Sequence, residues 1–246
     1  MTSNYDRQVD IGRKFFLQYD QEKLIKKYHL QADEKYLYIT YLSQEYRIDR
    51  ETAAIEQKGK EGFSECRIYT VVMTIYDMLC HNKDERLPVL TGEWTPVGSF
   101  AAAGASPDAN LHLQSYADAF SGHVSELTSA CEKIGEICPR LAGADVTARI
   151  DVFPFFPVMF QFWEGDEEFS PQVRVLWDRN TMQYLHFETT YYLQGDLMER
   201  LQIIIEEMVT VQNRPNHSLM KQQEHDSGAR SPLRHSRFSL VCESYL

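Results

Sequence analysis

Phe153–Phe169 reads FPFFPVMFQFWEGDEEF, and its interpretation decides the fold. Pro154 and Pro157 cannot donate to a sheet ladder, so they predict a bend or an edge position. Val158–Trp163 is an apolar run of strand length, Glu164–Glu168 an acidic turn containing Gly165, and Val173–Trp177 a return strand. Together they predict a β-hairpin. Just upstream, Val146, Ala148, Ile150 and Val152 alternate and predict another strand.

Working outward, Lys35–Leu42 and Glu45–Asp49 are strand-like, and a third short run surrounds Ala54 and Ile55. Gln57–Gly62 reads as a polar connection. Apolar residues at helical spacing predict helices over 8–30, 65–80, 113–138 and 196–211. Gly122 and Gly135 leave open two consecutive helices in the third, which Pro139 would stop. In the fourth, Asp196 and Glu199 have capping-box spacing. Residues 81–107 read as a long Pro/Gly loop carrying Trp94 and Phe100. The predicted class is α+β, a mostly antiparallel sheet packed against three to four helices. The predicted organisation is a helical region over 1–34, one domain over 35–212, and a disordered, polar tail over 213–246 with five basic residues.

Composition narrows the function classes. The net charge of -11, from 36 acidic and 25 basic residues, disfavours a phosphate backbone, so no nucleic acid is expected. The first ten residues lack an apolar segment behind a basic start, and no apolar run reaches membrane-spanning length. A cytoplasmic location without membrane attachment is expected. The five cysteines include no CxxC pair, so iron–sulfur and structural zinc patterns are missing. Cys131 and Cys138 share an apolar-periodic context, which predicts buried thiols. There is no GxGxxG after a strand, no Walker loop, no GxSxG and no HExxH.

The spacing Phe153–Pro154, Pro157 and Trp163–Phe169, followed by Asp178, Leu185 and Glu188, resembles a bacterial and archaeal family, domain of unknown function 3786. Trp94, Tyr116 and Phe120 also fit its pattern. The resemblance spans about residues 36 to 211. It implies a cytoplasmic domain of mostly anaerobic microbes. Some relatives carry an added cysteine-rich iron–sulfur module of the kind found in corrinoid proteins. The cysteines of this chain lack that spacing, so the iron–sulfur role does not carry over.

The residues suggest where chemistry would sit. Glu164, Asp166, Glu167 and Glu168 concentrate four carboxylates in five residues. Asp166, Glu167 and Glu168 are candidate ligands for a hard divalent metal, and crowding would raise a carboxyl pKa for acid catalysis. The alternative is a solvated turn that guards a sheet edge. Trp163 and Phe169 flank the acids as an apolar wall. Asp178 and Glu188 either complete a site across the hairpin or act locally, Asp178 as a cap and Glu188 in an ion pair. His186 lies between them and is a candidate acid, base or axial ligand to a tetrapyrrole metal. His112 and His123 read as hydrogen-bonded packing residues. Trp94 joins the ligand-binding candidates.

Three functions follow, in order. The first is a small-molecule or cofactor binding domain linked to anaerobic metabolism, with a corrinoid or a divalent metal as candidate cofactor. The second is a non-catalytic domain with a protein partner. The third is a carboxylate-based, metal-assisted enzyme using Glu164–Glu168.

Overall fold

The computed structural model describes residues 4–100 and 113–212. Residues 213–246, read above as a tail, and His112 lie outside them. Among the described residues the class is α+β, with six helices and two antiparallel sheets of five strands each.

The first sheet is a meander: β1 (Gln31–Ala32), β2 (Tyr36–Tyr41), β3 (Gln44–Asp49), β4 (Ile55–Gly59) and β5 (Gly62–Glu65), each paired with the next. In β2, Leu37, Ile39 and Tyr41 are buried and the residues between them are half-buried. That period-two pattern is the mark of a sheet with one face on the core. The polar connection expected at Gln57–Gly62 is instead a hairpin of β4 and β5. Lys58 pairs with Phe63, and Gly62 turns the chain at a φ of 114°.

The second sheet has the order β6-β10-β9-β8-β7. Its members are β6 (Trp94–Pro96), β7 (Gly135–Ile137), β8 (Val146–Phe153), β9 (Phe156–Trp163) and β10 (Gln172–Asp178). Pro154 and Phe155 form the two-residue turn between β8 and β9, with Phe153 opposite Phe156. The bend predicted from the prolines is therefore present, but β9 is the central strand and not an edge. Pro157 is tolerated there because the β9–β10 ladder begins only at Met159 and the β8 register is irregular at Asp151–Phe153. Phe156–Phe162 are all buried, so β9 is covered on both faces.

Two expected helices break, which raises the expected number to six. The segment 8–30 divides into α1 (Asn4–Leu17) and α2 (Gln21–Tyr28). Asp20 is the N-cap of α2, its side chain accepting from Lys23 N at 3.2 Å. Gly12 allows α1 to approach α3 (Tyr69–Cys80), since a Cβ there would lie 2.7 Å from the Tyr76 ring. The segment 113–138 becomes α4 (Gln114–Phe120), α5 (Val124–Ile134) and strand β7. Gly122, at a φ of 78°, makes the turn between the helices. The expected loop 81–107 contributes β6, which pairs with β10 through Trp94 opposite Asp178.

The last helix, α6, runs Phe187–Gln212 and starts nine residues before the expected cap at Asp196. Asp196 is buried inside the helix, so it is not a cap. Nine residues into α6, the backbone N–H groups that a cap would satisfy already have partners in the preceding turns, and the Asp196 oxygens bond side chains from other elements instead. Both sheets and the helices share one apolar core, from Phe16 and Leu24 through Ile48 and Ile75 to Phe160, Trp177 and Leu201. Leu42 N donates to Val152 O at 2.8 Å, which ties the β2–β3 turn to β8. No helix among the described residues is long and apolar enough to cross a membrane.

Candidate functional site

The acidic turn is built from hydrogen bonds internal to the protein. The Glu164 carboxylate accepts from the Ser121 hydroxyl, from Gly122 N at 2.8 Å and from Gly165 N at 3.0 Å. Partial burial would push its pKa up, but these donors outweigh burial and the net direction is down. Asp166 Oδ1 accepts from Glu168 N and Phe169 N, both at 2.8 Å, as in an Asx-turn. Glu167 and Glu168 are exposed, and Phe169 is 65% exposed, so it forms no wall. Trp163 donates its indole N–H to Ala142 O at 3.2 Å and lies under the Arg174 guanidinium.

The structure does not bring the other candidates to this turn. Asp178 lies at the far end of β10, about 20 Å along the strand. It is 1% exposed. Its Oδ2 accepts from Gly92 N at 2.7 Å, Thr91 N at 2.9 Å and Thr91 Oγ1, and its Oδ1 accepts from Asn180 N at 2.8 Å. Asp178 therefore anchors the loop that delivers Trp94 to the sheet edge. Glu188 accepts from Tyr192 Oη at 2.7 Å, one turn along α6. His186 belongs to a different cluster, at the start of α6.

That cluster is Asp77, His81 and His186, whose ligand atoms all lie within 4.8 Å of one another. Asp77 and His81 are one turn apart at the end of α3, so they share a face. His186 Nδ1 is 2.5 Å from Asp77 Oδ1 and 3.1 Å from His81 Nδ1. Asp77 Oδ2 accepts from His186 N at 2.8 Å and Thr189 Oγ1 at 2.6 Å. His81 Nε2 is 3.0 Å from Met182 O. Sequence reasoning reached His186 alone. The D-x-x-x-H spacing of Asp77 and His81 was the available signal, but it sits in a helix that reads as plain core.

A second unexpected constellation surrounds Asp196. Tyr41 Oη donates to Asp196 Oδ2 at 2.8 Å, and Thr70 Oγ1 to Oδ1 at 2.6 Å. Burial raises the Asp196 pKa to about 6, the two hydroxyls oppose that rise, and Glu199 adds to it. The carboxyl lines a groove of about 260 Å3 between the β2–β3 hairpin, the start of α3 and α6. Val71 and Tyr46 form part of its lining, with Ile68 and Ile203 left 49% and 46% exposed. Arg200, held by a bond from Nε to Leu42 O at 3.2 Å, also lines it. Burial lowers the pKa of that guanidinium. Nothing in the local sequence marks this site, because its residues come from β2, α3 and α6.

No curated protein and no solved structure matches the chain. A family described as Domain of unknown function (DUF3786) matches residues 20–200. Phe153–Phe169 lies within the matched residues and forms the β8–β9 turn, the central strand and the capped acidic turn. The chain is a member of the DUF3786 family.

Proposed function

We propose that the protein is a small-molecule binding domain and that its ligand occupies the groove over Asp196. The observation that carries this reading is a buried carboxyl of raised pKa on the lining of a groove with apolar edges. Perturbed ionisable groups in concave, partly apolar surfaces mark functional sites. The ligand is a small amphipathic metabolite. It offers a hydrogen-bond donor to Asp196 and apolar surface to Ile68, Val71 and Ile203. A groove of about 260 Å3 is smaller than the span for drug-sized ligands and does not enclose a tetrapyrrole. A corrinoid would instead meet exposed His186 as its axial ligand, a role that the resemblance to proteins of anaerobic metabolism suggests and no contact in the groove supports.

The test is a screen of a metabolite library by thermal shift at pH 7, with hits measured by calorimetry on wild type and Ile203→Trp. Ile203 is half exposed, so the larger ring fills the groove without entering the core. A hit whose binding is lost in Ile203→Trp supports the reading. Hits that bind both proteins equally, or an empty screen, overturn it. Protein purified without oxygen and showing a tetrapyrrole spectrum would favour the corrinoid instead.

A further inference from the structure

We propose that Asp77, His81 and His186 form a binding site for a divalent transition metal that joins the end of α3 to the start of α6. The inference is independent of the groove. Thr70, which bonds Asp196, and Asp77 are seven residues apart on α3, or about 10 Å.

The hydrogen bonds define what each group presents. The carbonyl of Met182 can only accept, so its partner His81 Nε2 carries the proton. In the neutral imidazole, His81 Nδ1 then has a free lone pair aimed at His186. This is the arrangement by which a backbone carbonyl orients a metal-binding histidine. On Asp77, Oδ2 is engaged by His186 N and Thr189 Oγ1, which fixes the carboxylate and turns Oδ1 toward the histidines. His186 Nδ1 lies 2.5 Å from Asp77 Oδ1 and 3.1 Å from His81 Nδ1, and its Nε2 lies 3.3 Å from His81 Nδ1. Electron pairs from three side chains thus converge on one region. A cation placed there satisfies all three.

The spacing suits coordination. Two nitrogens bound to one tetrahedral ion at about 2.0–2.1 Å lie about 3.3 Å apart. His81 Nδ1 stands 3.1 Å from His186 Nδ1 and 3.3 Å from its Nε2. The His186 side chain is 67% exposed and can present either nitrogen, whereas the Asp77 side chain is only 13% exposed and provides the fixed ligand. Two imidazoles and one carboxylate favour zinc, cobalt or nickel over magnesium or calcium, which prefer all-oxygen sites. With three protein ligands, at least one position remains for water.

The experiment uses the full chain, stripped of metal by chelation, titrated with zinc and with cobalt by calorimetry and absorption. The expected result is one ion per chain, a higher melting temperature with zinc, and a cobalt spectrum with nitrogen ligation. Magnesium and calcium should give no shift. His186→Ala, at an exposed position that leaves the fold intact, should weaken zinc binding by at least ~100-fold. His81→Gln should do the same, with circular dichroism checking the fold. Zinc binding unchanged in His186→Ala would overturn the proposal, because the ion would then be held by other residues. The absence of saturable one-to-one binding would overturn it as well.

Discussion

Glu164 and Asp196 are both hydrogen-bonded carboxylates, one half-buried and one buried, and their surroundings shift them in opposite directions. Glu164 opens the densest acidic run in the sequence, yet donors from Ser121, Gly122 and Gly165 hold it ionised. Asp196 follows a glycine in a stretch that reads only as a helix start, yet burial raises it to about 6. The number of neighbouring acids therefore says little about chemistry. What decides is whether the folded protein supplies the charge with enough donors to replace water. In the turn, backbone N–H groups do so. Under α6, two hydroxyls compensate only in part.

The largest effect expected from this difference is a pH dependence carried by Asp196. Its folded pKa of about 6 lies above the ordinary value of 3.8. Its favourable contribution is then complete below 3.8 and is lost as pH rises through about 6, a change of about 3 kcal/mol. Asp196→Asn should remove that loss, so urea unfolding should show the variant gaining on wild type by about 2–3 kcal/mol between pH 4 and pH 8. An equal pH profile would break the comparison. Tyr41→Phe comes next. It takes a donor from the ionised carboxylate and should cost about 2 kcal/mol at pH 8 but about 1 kcal/mol at pH 4, by the same measurement.

Glu164 should respond with the reverse sign. Its folded pKa is depressed, so its contribution is present above the ordinary value of 4.5 and is lost as pH falls through the folded value. Glu164→Ala should cost about 1 kcal/mol at pH 7 and should flatten the acid side of the profile. The smallest effect belongs to the exposed acids. Glu167→Gln and Glu168→Gln should each change stability by less than about 0.5 kcal/mol and leave zinc binding intact. A large loss of metal binding in either would restore the turn as a metal site.

Legibility followed how local the determining interactions are. The alternation of β8 and the solid apolar run of β9 are visible residue by residue, because the signal of each strand lies within its own length. The turn at Pro154–Phe155 was readable as a bend, since proline restricts its own φ and lacks an N–H. Asp20 is also a local cap signal, but the apolar periodicity that continues across it reads as one longer helix. The start of α6 at Phe187, not at Asp196, has another reason. Asp196 has the form of a cap, and only Tyr41 and Thr70, 155 and 126 residues away, make it an interior residue. Among the sites, Glu164–Glu168 was conspicuous because it is contiguous. Asp77, His81 and His186 were not, because 105 residues separate the two histidines.

The α+β class, the hairpin strands around Phe160 and the membership of the DUF3786 family are all legible in the chain's own residues. These rest on periodicity and on short-range chemistry carried within one segment. Folding, in contrast, sets the internal bonding of the acidic turn, the anchoring of the Trp94 loop by Asp178, the groove over Asp196 and the Asp77–His81–His186 cluster. The physical reason is that a carboxylate's or imidazole's behaviour depends on the donors, acceptors and solvent around it, and folding takes those from distant parts of the chain.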